Sequence, residues 1–228
     1  MNMTRFIQIF FLIGLGLIIG EVFDITVLRL ATRLVMVPLV VFMYYRSVER
    51  INYLMLTVFI MCYLGDISTY FDYTVALKYT AVFFGLCHII LATFSFSLIK
   101  EKSVKRLLLT AIPIAVIWIV YYEHYFNDVF GLYLGNLYPY ILSYSIALVV
   151  LNVMANVSFF NEGSQLTLYL IIIAVAIVVG DVLMCYYMFA TPIHLFKVIN
   201  AVSHLVVYFF LLKFALEYSD FKLKSPSL

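Results

Sequence analysis

QLTLYLIIIAVAIVVGDVLMCYYMF, residues 165–189, decides the fold: a long apolar run whose single charged residue is Asp181. Crossing a bilayer as a helix takes about 20 predominantly apolar residues. The run has that length and lacks the two-residue alternation of a membrane strand, so it reads as a membrane helix. Working outward, comparable runs occupy about 5–21, 27–45, 51–71, 75–99, 105–123, 131–158 and 192–217. With 165–189 they make eight candidate spans, and the fold class is an all-α, polytopic membrane helix bundle with eight transmembrane helices.

Composition agrees. Of 228 residues, 66% are hydrophobic and 11% charged, against about 25% charged in soluble domains. Eight spans of about 20 residues use roughly 160 positions, and what remains suffices only for connections and tails. A soluble catalytic domain is excluded, and any chemistry has to be built from helices; residues 1–228 read as a single integral membrane domain. The net charge of +2 and the placement of basic residues in loops argue against a nucleic-acid surface. Cys62, Cys87 and Cys185 sit singly in apolar runs, which suits buried hydrophobes rather than a metal or disulfide framework. No metal and no cofactor are expected. Arg5 followed by the apolar run 6–19 looks like a signal peptide, yet no small-residue cleavage site follows, so the run is read as the first span.

Orientation follows from lysine and arginine in short loops. With the N-terminus inside, the cytoplasmic segments hold Arg5, Arg46, Arg50, Lys100, Lys102, Lys105, Arg106, Lys222 and Lys224, nine in all. The opposite connections carry Glu21, Asp24, Asp72, Glu123 and Asp128, with Lys78 and Lys197 at helix starts and Arg29 and Arg33 in the first turns of span two. Both termini are therefore expected in the cytoplasm, and the chain in the cell (inner) membrane.

An ionisable residue inside a span costs about 2.5–3.5 kcal/mol on insertion scales, so each one calls for a partner or a purpose. Few exist. FIMCYLGDISTY (59–70) carries Asp66, AIVVGDVLMCYY (176–187) carries Asp181, and His88, His204, Arg33, Lys197 and Asn200 complete the set. In the inside-out orientation Asp66, Asp181, Lys197 and Asn200 fall in the outer half. His88 and His204 fall nearer the midplane, and Tyr140, Ser143 and Tyr144 between. Lys197, Asn200, His204 and Tyr208 are spaced by three and four, which puts them on one helix face. These groups are expected to converge on one outward-facing pocket. The plainer alternatives are ion pairs of Asp66 and Asp181 with Arg33 and Lys197, histidines bonded to neighbouring hydroxyls, and Gly65 and Gly180 as points of close helix packing. Pro38 and Pro139 are expected to kink their helices.

A repeat points the same way. Asp66 follows Gly65 and precedes His88 by 22 residues; Asp181 follows Gly180 and precedes His204 by 23. The aspartates lie 115 residues apart, which suggests a four-plus-four parallel duplication with halves 1–104 and 105–228.

A helix with Pro38-Leu39, the Gly65-Asp66 helix, GLCHIILATFSF at 85–96, a tyrosine-rich sixth helix and a second aspartate helix, in that order over nearly the whole chain, resemble the YhhN-like lysoplasmalogenase family of eight-span membrane proteins. Asp66, Asp181, Gly65 and His88 match its pattern. Where the family has Lys-Pro-Leu this chain has Val37-Pro38-Leu39, with Arg33 one turn earlier as the substitute cation. The second aspartate follows Gly180 rather than serine, and His204 stands at a glutamine position.

The resemblance implies hydrolysis of the vinyl ether bond of lysoplasmalogens, giving a fatty aldehyde and a glycerophospho-base. That reaction needs a proton delivered to carbon and a negative charge beside the oxocarbenium ion that results. Two aspartates sharing a low-dielectric site hold one proton between them and supply both. Asp66 and Asp181 are the expected catalytic dyad, supported by Arg33, His88, Tyr140, Tyr144, Lys197, Asn200 and His204, with a tyrosine against a quaternary ammonium headgroup. The partners are a lysophospholipid and the membrane. The competing readings are an ion-coupled transporter or a non-catalytic membrane subunit built on the same carboxylates, and a haem-binding electron carrier with His88 and His204 as axial ligands.

Overall fold

The computed structural model describes residues 3–99 and 131–224, with side chains through 219, and scattered helical positions between 109 and 129. Its α-helices are α1 (Met3–Val22), α2 (Thr26–Ser47), α3 (Tyr53–Ser68), α4 (Tyr73–Ser97), α5 (Tyr138–Glu162), α6 (Gln165–Phe189) and α7 (His194–Lys224), with a 3-10 turn at Gly135–Leu137 ahead of α5. Each falls on an expected span. The fifth expected span, 105–123, lies outside the described residues apart from scattered helical positions. Among the described residues, six helical stretches are long and apolar enough to cross a membrane. The chain is an all-α, polytopic membrane protein.

Helix ends follow local chemistry. Asn52 Oδ1 accepts from the backbone N–H of Leu54 (3.0 Å) and Met55 (3.3 Å), capping α3. At its other end α3 stops at Ser68, short of the expected 71. The Ser68 and Thr69 hydroxyls donate to the carbonyls of Gly65 and Asp66, both at 2.7 Å. The N–H groups of Thr69, Tyr70 and Phe71 reach back three residues, a tightening that closes the helix. Gly163, in the left-handed region at φ 54, ends α5. Ser164 and Thr167 then exchange bonds across the start of α6. Pro38 lies inside α2 as expected. Pro139 does not kink a helix: it stands in the first turn of α5, where no N–H is needed.

The chain divides into two compact units. The first comprises Met1–Tyr63 and Val175–Leu228. In it α1 lies against α2, and both meet α7. A methyl group at Gly16 would come within 3.1 Å of Thr32 Cγ2, and one at Gly20 within 3.1 Å of the Arg29 backbone nitrogen, so hydrogen side chains set the α1–α2 approach. Tyr44, buried in α2, bonds Ser219 Oγ on α7 at 3.1 Å and accepts from the Asn52 N–H at 3.0 Å. The second unit is Leu64–Ala174. Within it α4 lies along α5, with Gly85 facing the Tyr144 backbone. Outward-facing side chains are large and apolar; Val27 and Phe160 are each 77% exposed. That is a liability in water and the ordinary surface of a helix in lipid.

Candidate functional site

In the first unit the polar centre starts where α1 ends. Asp24 takes a left-handed conformation (φ 54) while the N–H of Ile25 reaches back to the Gly20 carbonyl at 2.9 Å, a reversal that carries α2 back alongside α1. Arg29 and Arg33, one turn apart, are thereby returned to Glu21, which is only 4% exposed. Arg29 Nη1 lies 3.2 Å from Glu21 Oε2 and Arg33 Nη2 lies 3.2 Å from Oε1, so the carboxylate is held at both oxygens. Lys197 of α7 joins them, 2.8 Å from Asp24 Oδ1 and 3.9 Å from Glu21 Oε2. His194 Nδ1 stands 4.0 Å from Asp24. The hydrogen bond from Lys197, then its charge, holds the Asp24 carboxyl below the ordinary range.

Glu21 and Asp24 are the members that sequence reasoning missed, having placed them among the connections. The available signal was a glutamate closing an unbroken apolar run with arginines one turn apart on the next helix. A buried carboxylate needs such partners, because removing its water is otherwise far too costly.

Further along the same unit, Arg33 acts electrostatically on His204, whose ring lies 6.1 Å from that of Tyr208. Asn200 and Tyr208 are buried, so the stripe predicted from their spacing is an inward face of α7. Gly180 meets that face: a methyl group there would lie 3.0 Å from Ser203 Cβ and 3.2 Å from Asn200 Nδ2. Asp181, the next residue, acts on Cys185 one turn on. Arg33, Asp181, Lys197, Asn200 and His204 thus all belong to this unit.

Asp66, His88, Tyr140 and Tyr144 belong to the second unit. Asp66 is 2% exposed. Beside it, a methyl group on Gly65 would sit 2.8 Å from the Phe84 ring, and one turn on Ser68 Oγ bonds Thr80 Oγ1 at 2.8 Å. These two contacts set the register of α3 on α4. The close-packing reading of Gly65 and Gly180 therefore holds at both positions, and packing accounts for the glycine half of the Gly-Asp repetition. On the other side of α4, the Lys78 ammonium donates to the Tyr140 hydroxyl and lies 4.9 Å from that ring's centre. The His88 ring is 5.1 Å from that of Tyr144. His88 is buried, and its Nδ1 has no hydrogen-bond partner among the described residues.

Each unit thus carries one of the two span aspartates. A carboxylic acid in such a setting can deliver or hold a proton, and the guanidinium and ammonium groups around Glu21 fix charge at one end of a bundle. Compared with family models, curated proteins and solved structures, the chain finds a match in none of the three.

Proposed function

We propose that this chain is a membrane-embedded hydrolase that cleaves the vinyl ether bond of lysoplasmalogens, or of a related single-chain lipid, by acid-assisted addition of water. Asp66 and Asp181 supply the proton and the negative charge that the oxocarbenium ion needs. The observation that carries the reading is the burial of Asp66 in an otherwise apolar helix, a position that packing alone would give to an apolar residue. The resemblance in the order of motifs supplies the substrate class. Eight spans, the four-plus-four repeat, the inner membrane and cytoplasmic termini belong to the same proposal. Arg33, His88, Tyr140, Tyr144, Lys197, Asn200 and His204 serve as supporting residues in it.

The test is aldehyde release by purified protein in lipid. A single-chain vinyl ether lipid should yield fatty aldehyde, whereas the matching alkyl ether, with no double bond to protonate, should not react. Asp66→Asn and Asp181→Asn should each lower turnover at least about 100-fold, the scale of general acid and electrostatic catalysis, with folding retained. Equal cleavage of the alkyl ether, or normal activity in either variant, would overturn the mechanism. A second reading, an ion-coupled transporter, draws on the buried Glu21 with its three cations, since embedded ion clusters also mark ion pathways. Liposome flux without aldehyde release would favour it.

A further inference from the structure

An ammonium group has three N–H donors, and at Lys197 one of them has an acceptor among the described residues. Nζ lies 2.8 Å from Asp24 Oδ1. Glu21 Oε2, at 3.9 Å, is beyond hydrogen-bond reach, and the Tyr187 ring, its centre 5.4 Å from Nζ, offers a π face. Yet the Lys197 side chain is only 13% exposed, and a cation that far out of water is costly until its other N–H groups find acceptors. Arg29 is in a similar position. Its Nη1 reaches Glu21 and Asp24 and its Nη2 reaches Thr26 Oγ1, while Nε and the second N–H of Nη2 meet no acceptor among the described residues. Arg29 Nη1 and Lys197 Nζ both bond the one oxygen, Asp24 Oδ1. The two cations therefore stand within two hydrogen-bond lengths of each other, a separation that one phosphate group bridges with two of its oxygens.

The surroundings point to the source of that acceptor. Phe23 and Ile25, on either side of Asp24, are exposed, and so are Ile193 and Leu195, on either side of His194. Large apolar groups ringing a charged centre suit the boundary between acyl chains and headgroups. Both α2 and α7 begin there with no acidic residue in the first turn, so their first N–H groups add positive potential. The anionic acceptor abundant at that depth is the lipid phosphate. We infer that Lys197 and Arg29 form a binding site for the phosphate group of a membrane lipid headgroup. Asp24 has two effects on it. Its Oδ1 holds the two cations side by side, and its negative charge competes with the phosphate for them. The inference needs only the membrane setting, and so stands apart from ether cleavage.

The experiment titrates the purified chain in nonionic detergent with phosphatidylglycerol and reads the affinity of the tightest lipid site by native mass spectrometry. Diacylglycerol with the same acyl chains, which lacks the phosphate, should not occupy that site. Lys197→Gln should weaken phosphatidylglycerol binding about fivefold, the scale of one charge at a lipid surface, and Asp24→Asn should tighten it by about as much. Arg46→Gln, at the exposed far end of α2, should leave it unchanged. A misfolded protein does not bind more tightly, so the Asp24→Asn gain decides the matter even where Lys197→Gln fails to fold. Equal binding of diacylglycerol, unchanged or weaker binding by Asp24→Asn, or unchanged binding by folded Lys197→Gln would overturn the site. Sodium phosphate that displaces the lipid at equal concentration would overturn the headgroup as the source and leave free phosphate in its place.

Discussion

Asp24 sits where three demands meet: a left-handed backbone, a bond from Lys197 and an arginine 3.2 Å away. Aspartate tolerates left-handed φ better than most residues, which fits the position without glycine. Because Lys197 and Arg29 favour the ionised form, the folded protein lowers this group's pKa relative to the unfolded chain. The stability it adds is therefore complete above the unfolded value of 3.8, and is lost as pH falls through the lower folded value. Asp24→Asn should melt slightly earlier than the wild type at pH 7, with the difference shrinking as pH falls below 3.8. A difference that persisted unchanged in acid would mean that shape, not charge, matters at this turn. The effect should be small, since the Asp24 side chain is 60% exposed and water screens its pairs. Glu21, buried at the end of α1, is a different case: its partners surround a nearly buried carboxylate, and there the pairing is what permits the burial.

At the scale of helices, the glycines do more than the charged residues to decide which surfaces meet. Gly180 lets α6 approach Asn200 and Ser203 of α7, and Gly65 lets α3 approach Phe84 of α4. Neither approach relies on a hydrophobic driving force, which is absent between helices in lipid; both rely on close packing. Gly180→Ala puts a methyl group 3.0 Å from Ser203 Cβ, so α6 and α7 must separate by a few tenths of an ångström. The expected cost is about 1–3 kcal/mol, read as a lower melting temperature in detergent. Because Asp181 rides on the same turn, the proposed vinyl ether hydrolysis should fall further than stability does. Unchanged melting would show that the α6–α7 contact is looser than its geometry. The glycine-aspartate pairing thus joins packing to the polar group it carries: the small residue brings the helices together, with the carboxylate next to it buried at Asp66 and half-buried at Asp181.

At the scale of the molecule, the proposed eight spans would place residues near both ends of the sequence on one side of the membrane, and the nine lysines and arginines assigned to the inward segments predict the cytoplasmic side. Reporter fusions after Lys102 and after Lys224 should both report cytoplasm; opposite answers would break the even count. Apolar run length alone was enough to reveal the helices, because lipid leaves the backbone no other way to satisfy its hydrogen bonds. The inward stripe Lys197, Asn200, His204 and Tyr208 was legible for a similar reason, since helical periodicity is a local property. What periodicity does not contain is which helix end meets which. That Glu21 closes on Arg29, Arg33 and Lys197, that Lys78 belongs to Tyr140, and that His88, beside Tyr144, keeps a nitrogen unbonded among the described residues depend on turns and packing between residues distant in the chain. Sequence by itself determined that this is an all-α membrane protein and, Glu21 and Asp24 apart, which few polar residues its helices carry, because those follow from solvent and pitch. Tertiary structure alone decided their partners, because a charge in a low-dielectric interior is neutralised by whatever the packing brings within a few ångströms.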